Sequence, residues 1–392
     1  MNEEVARADL DKIQKRALLV GIVAGVVSVV GAFLNPEQFL HSYLMGFLLW
    51  LGITLGSVAL LMLHHLVGGM WGFVIQRVLE TAARLLPLMA LLLIPILIGL
   101  PSLYDWMQAE STDAALEHKS TYLNAPFFII RSVFYFAVWI LIARLLTRWS
   151  QQVDESGNGE LVSRMERLSG PGLVIYGLTM TFAAVDWVMS LEPHWYSTIF
   201  GLLFLVGQGL AAIAFAIIAL RYLSERKPLA EITLPKQFHD LGNLLLTFVM
   251  LWAYVAFSQF LIIWSGNIPE EAVWYQSRMQ GGWQYVGLIL IIFHFGVPFV
   301  ILLQSRAKKR ASVLAKIAIG ILALRVVDLF WIISPALHRE GFSVSWMDFT
   351  TPIAVGGIWL AAFAWRLKDV SLIPIRDPRL VEALSYREEA AL

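Results

Sequence analysis

The sequence contains no cysteine. That excludes a disulfide framework, a thiolate zinc site and a thiolate-held iron–sulfur cluster within this chain. Charge is scarce too: Asp, Glu, Lys and Arg make up 15% of the 392 residues, and 29 basic side chains cancel 29 acidic ones. A balanced chain offers no concentrated basic surface, which argues against nucleic acid as a partner. What is abundant is apolar. Hydrophobic residues make up 58% of the chain and its mean hydropathy is +0.69, more than a water-soluble domain can hide. The pattern predicts an all-α membrane protein with ten transmembrane helices, because stretches of about 20 apolar residues, the length that crosses a bilayer core, recur along the chain.

The predicted spans are residues 17–34, 39–63, 82–100, 127–145, 170–190, 196–220, 239–264, 283–303, 313–333 and 352–365, the last with a start that reaches back to Met347. If both termini share a side, 24 of the 29 basic residues fall on that side and three, Lys119, Arg278 and Arg339, on the other; Arg131 and Arg325 lie within spans. That asymmetry predicts cytoplasmic N- and C-termini. The first 16 residues mix acids with bases and read as a cytoplasmic tail, so the first span reads as a retained anchor. The opposite loops are acidic and aromatic, with Asp105, Glu110, Asp113, Glu117, Glu192, Glu270 and Glu271 near Trp106, Trp195, Trp274, Tyr275 and Trp283. Those rings suit either interfacial anchoring or the docking of other subunits.

Spans two and six align without gaps at an offset of 155, with identities that include Ser42/Ser197, Gly46/Gly201 and Gly52/Gly207. Spans five and nine align at an offset of 142, matching Asp186 with Asp328 and Pro193 with Pro335. Both pairs are four spans apart, so the repeat predicts two four-helix bundles, spans 2–5 and 6–9, related by an axis along the membrane normal, with two peripheral helices. The predicted layout is a tail (1–16), a first helix (17–38), bundles at 39–190 and 191–333, an outer loop with the tenth helix (334–365) and a tail (366–392). Gly46, Gly52, Gly56, Gly201, Gly207 and Gly209 are expected to let helices two and six pack closely.

An ionised side chain at the bilayer centre costs about 2.5–3.5 kcal/mol on insertion scales, so each one needs a partner or a role. Arg131 lies about one turn inside the outer end of span four, and Asp186 lies at matching depth in span five; the spacing predicts an ion pair across this hairpin. Arg325 and Asp328, three apart on span nine, face the same side and pair within a helix. Either pair reads as a fixer of helix orientation or as part of an outer polar pocket that holds a quinol head group or exchanges protons. His294 is the only histidine deep within a span, while His41, His64, His65 and His239 lie near span ends. A haem held by two imidazoles needs a second histidine at that depth, so none is expected in this chain. His294 reads as a hydrogen-bonded core residue or as a proton carrier or quinone ligand.

On span seven Asp240, Asn243, Thr247, Tyr254 and Ser258 share one helical face over about 27 Å, with His239 beside them. A polar stripe of this length is expensive against lipid, so it is expected to face the protein interior and line a chain of waters for protons; helix-to-helix hydrogen bonding is the plainer reading. Span three is almost purely apolar and carries Pro87 and Pro95, which places any such route in the second bundle.

The segment 238–275, FHDLGNLLLTFVMLWAYVAFSQFLIIWSGNIPEEAVWY, closely resembles the second NrfD-type (polysulfide-reductase-like) membrane subunit of bacterial alternative complex III, and the ten-span layout extends the likeness over most of the chain. The resemblance implies an inner-membrane subunit of a respiratory quinol:cytochrome c or other-acceptor oxidoreductase, with a role in quinol oxidation and proton conduction. It implies as partners a sister NrfD-type subunit, multihaem and monohaem cytochrome c subunits, an iron–sulfur subunit and a terminal oxidase, with every haem and cluster held by those partners and quinone or quinol as the small molecule. The sister subunit is the stronger candidate for the quinol site. Two other functions fit the residues: a quinol-oxidising subunit of a polysulfide-reductase-like enzyme, and a secondary transporter with a midplane polar site, the latter disfavoured because spans other than the third lack helix breaks. A scaffold without chemistry is the remaining reading.

Overall fold

The computed structural model describes residues 2–107, 114–226, 229–374 and 376–380. Glu110, Asp113 and the end of the C-terminal tail lie outside them. Among the described residues there is no strand, and ten helices are long and apolar enough to cross a membrane: α1 (Arg7–Leu34), α2 (Pro36–Val67), α3 (Gln76–Ile98), α4 (Ala125–Ser156), α5 (Gly159–Leu191), α6 (Phe200–Leu223), α7 (Pro235–Gly266), α8 (Trp283–Leu303), α9 (Ala311–Leu337) and α10 (Met347–Leu367). The architecture is that of a multi-pass membrane protein. Several boundaries are set by local chemistry. The Asn35 and Asn124 side chains accept from backbone amides in the first turns of α2 and α4, and Pro occupies the first turn of α2, α4 and α7, where its missing N–H costs nothing.

Proline also breaks helices here. α3 runs as Gln76–Ala83, Leu86–Leu92 and Ile94–Ile98, with Pro87 and Pro95 each in the first turn of a new piece. Sequence reading placed breaks in the third span alone, and the structure adds one in α8. There Leu290–Gly296 is π-helical, with the Val297 amide donating to the Ile292 carbonyl five residues back. Pro298, with no amide to offer the carbonyl of residue 294, disrupts the α ladder at that point.

Contacts at the helix ends give the direction of travel. Arg226 Nη2 donates to Asp9 at 2.6 Å, Lys368 pairs with Asp11, and Arg376 Nη1 reaches the Glu155 carbonyl at 2.5 Å, so both described chain ends lie on one face, called here the basic face. On the opposite face Arg339 pairs with Asp105 at 2.5 Å and Arg278 with Glu192 at 2.8 Å.

Helix α2 forms the buried axis of the molecule: 89% of its apolar window is covered, against 17% for α1. It packs on α3, α5, α6, α9 and α10; α6 also meets α5, α7 and α9; α4 lies on α3 and α5, and α8 on α7 and α9. Side-chain hydrogen bonds tie α10 to α2. Trp50 Nε1 donates to the Pro352 carbonyl at 2.9 Å, Trp359 Nε1 to Thr54 Oγ1 at 2.8 Å, and Asp348 accepts from Ser42 Oγ at 2.5 Å. α1 rests on α10 through a crossing of bare backbones, since a Cβ on Gly357 would lie 2.4 Å from the Gly21 Cα.

The glycines expected between α2 and α6 serve several interfaces instead. Gly52 and Gly56 face Gln208 of α6, as expected, but Gly46 abuts Pro352 of α10, Gly201 Thr181 of α5, Gly207 Arg325 of α9 and Gly209 Phe248 of α7. A small residue announces a close approach without saying which neighbour makes it. At Gly56 a Cβ would stand 2.1 Å from the Gln208 carbonyl oxygen, so Gly56→Val must push α2 and α6 apart. We expect it to cost about 3 kcal/mol or more, read as a lower midpoint of thermal unfolding in detergent, whereas Gly177→Ala, which meets nothing within 4 Å, leaves the midpoint unchanged or slightly raised.

Candidate functional site

Three helices of the second half bring ionisable and hydrogen-bonding groups together near their midpoints. α9 carries Arg325 and Asp328 one turn apart, and Arg325 Nη1 donates to Asp328 Oδ2. α7 adds Trp252, whose Nε1 donates to the same oxygen at 3.2 Å. α8 adds His294 from its π-helical turn, with the imidazole perpendicular to the Trp252 indole and ring centroids 4.5 Å apart. The Arg325 guanidinium fits here because residue 207 is glycine: a Cβ would lie 2.4 Å from Arg325 Cζ. His294 is wholly buried, and neither of its ring nitrogens has a partner. A neutral imidazole always presents one donor and one acceptor, so this ring has hydrogen-bonding capacity that the chain does not use.

The first half holds its charge differently. Arg131 Nε and Nη2 grip the two Asp186 oxygens at 2.9 Å each, the Tyr135 hydroxyl adds a third bond at 2.7 Å, and Arg131 Nη1 donates to the Tyr122 carbonyl at 3.0 Å. Buried aromatic rings enclose the pair, and three of them are bonded: Trp187 Nε1 to Ser132 Oγ, Trp139 Nε1 to Thr179 Oγ1, and the Tyr104 hydroxyl to the Trp187 carbonyl. Both aspartates thus sit beside an arginine; Asp186 takes three donors while the Tyr122 hydroxyl near it is buried without a partner, and the Asp328 site keeps an unused imidazole alongside. The sequence offered either pair, or His294, as part of an outer polar pocket. The structure divides them into two sites on different helices.

The polar stripe on α7 is not where the sequence reading put it. Asn243, Thr247 and Tyr254 are exposed, Tyr254 to 68%, and His239, Asp240 and Ser258 are half-buried. The side turned inward consists of Leu241, Leu245, Val249, Trp252 and Val255, all buried. Two faces of α7 have helical spacing, and the one with the larger apolar side chains wins the interior because burying them gains more. The stripe is also capped locally: Thr247 Oγ1 donates to the Asn243 carbonyl at 3.0 Å, Asn243 Oδ1 accepts from Lys308 Nζ at 2.6 Å, and His239 Nδ1 lies 3.7 Å from Asp240 Oδ1. In the chain by itself this face of α7 is turned outward.

Sequence reading missed a network at the basic end of the first half, where it expected no polar route. Arg77, 1% exposed, donates to Glu80 Oε2 at 2.6 Å and also pairs with Asp154 of α4. Gln76 Nε2 and Ser150 Oγ both donate to Glu80 Oε1, at 2.9 and 2.6 Å. His64 and His65, placed by the sequence near a span end, are buried within the same end of α2. The available signal was the run Gln76, Arg77, Glu80 and Thr81, four polar residues within two turns at the head of an apolar span.

No protein-family model matches the chain, and no curated protein does. The site is therefore read from its own residues. Among the described residues no group of three or more His, Asp or Glu side chains gathers as metal ligands. What the second-half cluster offers is a buried acid–base set, a carboxylate, a guanidinium and an imidazole with spare hydrogen-bonding capacity, able to exchange a proton or hold a polar head group.

The two aspartate sites respond differently to mutation. Arg131→Ala leaves Asp186 as an uncompensated buried charge and is expected to cost about 3–5 kcal/mol. The Arg131→Ala/Asp186→Ala double variant recovers part of that loss in a double-mutant cycle read by thermal unfolding; an Arg131→Ala loss below about 1 kcal/mol would show that the pair contributes little.

Proposed function

We propose that this chain is an integral membrane subunit of a respiratory quinol:electron-acceptor oxidoreductase, of the NrfD type, in a bacterial inner membrane with the basic face cytoplasmic. It supplies helix scaffold and a proton-exchanging cluster, with quinol contact at the same cluster. Electrons reach cytochrome c or a terminal oxidase through cytochrome and iron–sulfur partners, which hold the redox centres. The observation that carries this reading is the buried group formed by Trp252, His294, Arg325 and Asp328, because a scaffold has no need of a wholly buried imidazole with both nitrogens unused.

Two further features support it. Helices α2 to α5 pack in one ring and α6 to α9 in another, with α2 against α6, an arrangement that fits two four-helix bundles flanked by α1 and α10. Asn243, Thr247 and Tyr254 face outward on α7. Hydroxyl and amide groups at that depth suit a protein neighbour better than lipid, so this side is assigned to the sister membrane subunit, and any proton movement along the stripe runs between the two chains.

Purification from native membranes tests the assignment: co-elution with multihaem cytochrome and an iron–sulfur protein supports it, while a lone chain that drives solute uptake in vesicles replaces it with a transporter. Within the purified complex, His294→Leu and Asp328→Asn are each expected to lower quinol-driven turnover or proton release about tenfold or more with assembly retained. Unchanged turnover and release in both variants would reduce the chain to a scaffold.

A further inference from the structure

The network around Glu80 has a feature that its ion pairs do not explain. His64 Nδ1 and Nε2, His65 Nε2, Gln76 Oε1, Arg77 Nε and Asp154 Oδ1 are all buried without a partner, six atoms at one end of three adjoining helices. The His64 and His65 rings lie 5.7 Å apart, Arg379 Nη2 lies 3.4 Å from His65 Nδ1, and Arg77 joins Glu80 to Asp154, so these groups gather where α2, α3 and α4 pack at the basic end. Leaving one buried polar atom unbonded costs about 1–3 kcal/mol; six in one place are untenable for a dry site. Ordered water needs two to four polar partners and room for the molecule; the Gly72 backbone lies against His64 Nδ1, which leaves the other five atoms to bind water.

The C-terminal segment closes this site. Beyond α10 the chain folds back across the basic face, with Ile373 and Leu380 buried and Arg376 Nη1 on the Glu155 carbonyl. Asp377, 1% exposed, accepts from Arg379 Nε at 3.1 Å and Nη2 at 2.8 Å. Arg379 Nη2 in turn lies 3.4 Å from His65 Nδ1, and its guanidinium stands 5.7 Å from the Phe73 ring centroid.

We propose that His64, His65, Gln76, Arg77, Glu80 and Asp154 enclose a water-holding chamber that exchanges protons with the basic-face solvent, and that the Asp377–Arg379 pair is its removable stopper. The proton role rests on the function proposed above; the chamber and its closure do not. When the stopper lifts, a proton passes from solvent water to the chamber water and on to an imidazole nitrogen or carboxylate, with no other bond made or broken. The route begins in the first half of the molecule, at the polar head of α3.

Three measurements on the full chain in lipid nanodiscs or in the assembled enzyme decide the matter. Radiolytic hydroxyl-radical footprinting should oxidise His64 and His65 although both are buried, while the dry rings of Phe128 and Trp139 stay unlabelled; labelling no faster than theirs overturns the chamber. Diethylpyrocarbonate should modify His65 slowly in the native chain and about tenfold faster in Arg379→Gln and in Asp377→Asn, with Arg379→Lys closer to native. Unchanged rates in both variants overturn the stopper, and unaltered protection of Trp139 shows that the variants are folded. In the assembled enzyme Glu80→Gln should lower proton uptake per electron transferred; an unchanged ratio overturns the proton role. If the chain purifies without redox partners, the respiratory reading fails, while the two labelling results still judge the chamber.

Discussion

A charge surrounded by hydrocarbon has no solvent to fall back on, and this requirement organises the interior. Each of the deeply buried arginines Arg77, Arg131, Arg278 and Arg325 lies against a carboxylate: Glu80 with Asp154, Asp186, Glu192 and Asp328 respectively. Because the partner usually comes from another helix, the pairing fixes which helices touch and at what depth. Arg131 joins α4 to α5, Arg77 joins α3 to α4, and Arg278 ties the α7–α8 connection to the end of α5. Burial draws the Arg278 guanidinium below its usual range against the pull of Glu192, yet it remains cationic, stacked 3.7 Å from the Trp274 centroid and donating to two carbonyls of α9.

Against that background the imidazoles stand apart. His64 and His294 are as buried as any arginine here and have no hydrogen-bond partner at all. A neutral ring tolerates this better than an ion: each buried guanidinium has a carboxylate partner, whereas these two imidazoles have no hydrogen bond at either nitrogen. The arginine–carboxylate pairs fasten helices together, and the buried histidines fasten nothing through hydrogen bonds.

Much of this was legible in the sequence. The ten spans, the start of the tenth at Met347, the Arg131–Asp186 pair and the Arg325–Asp328 turn follow from length, hydropathy and spacing. What spacing cannot supply is the identity of the neighbour. α7 has two candidate inward faces, and only the volume competition between Leu245 or Trp252 and Asn243 or Tyr254 decides which turns inward. The same limit misassigned four of six glycines. The cluster around Glu80 escaped because its members come from 64–80 and 150–154, with Asp377 and Arg379 far along the chain, and no local pattern joins segments so distant.

The crossing of Gly21 with Gly357 bears on how the chain is made. The surface on which α1 chiefly rests is synthesised more than 300 residues after α1 itself. At ribosomal speed that interval is roughly 15–70 s, during which α1 floats beside the growing bundle with most of its circumference in lipid. α10 therefore completes the seat of α1, and a chain truncated before α10 would leave the Gly21 side of α1 uncovered, with the helix held only by its one-residue link and its contacts to α2.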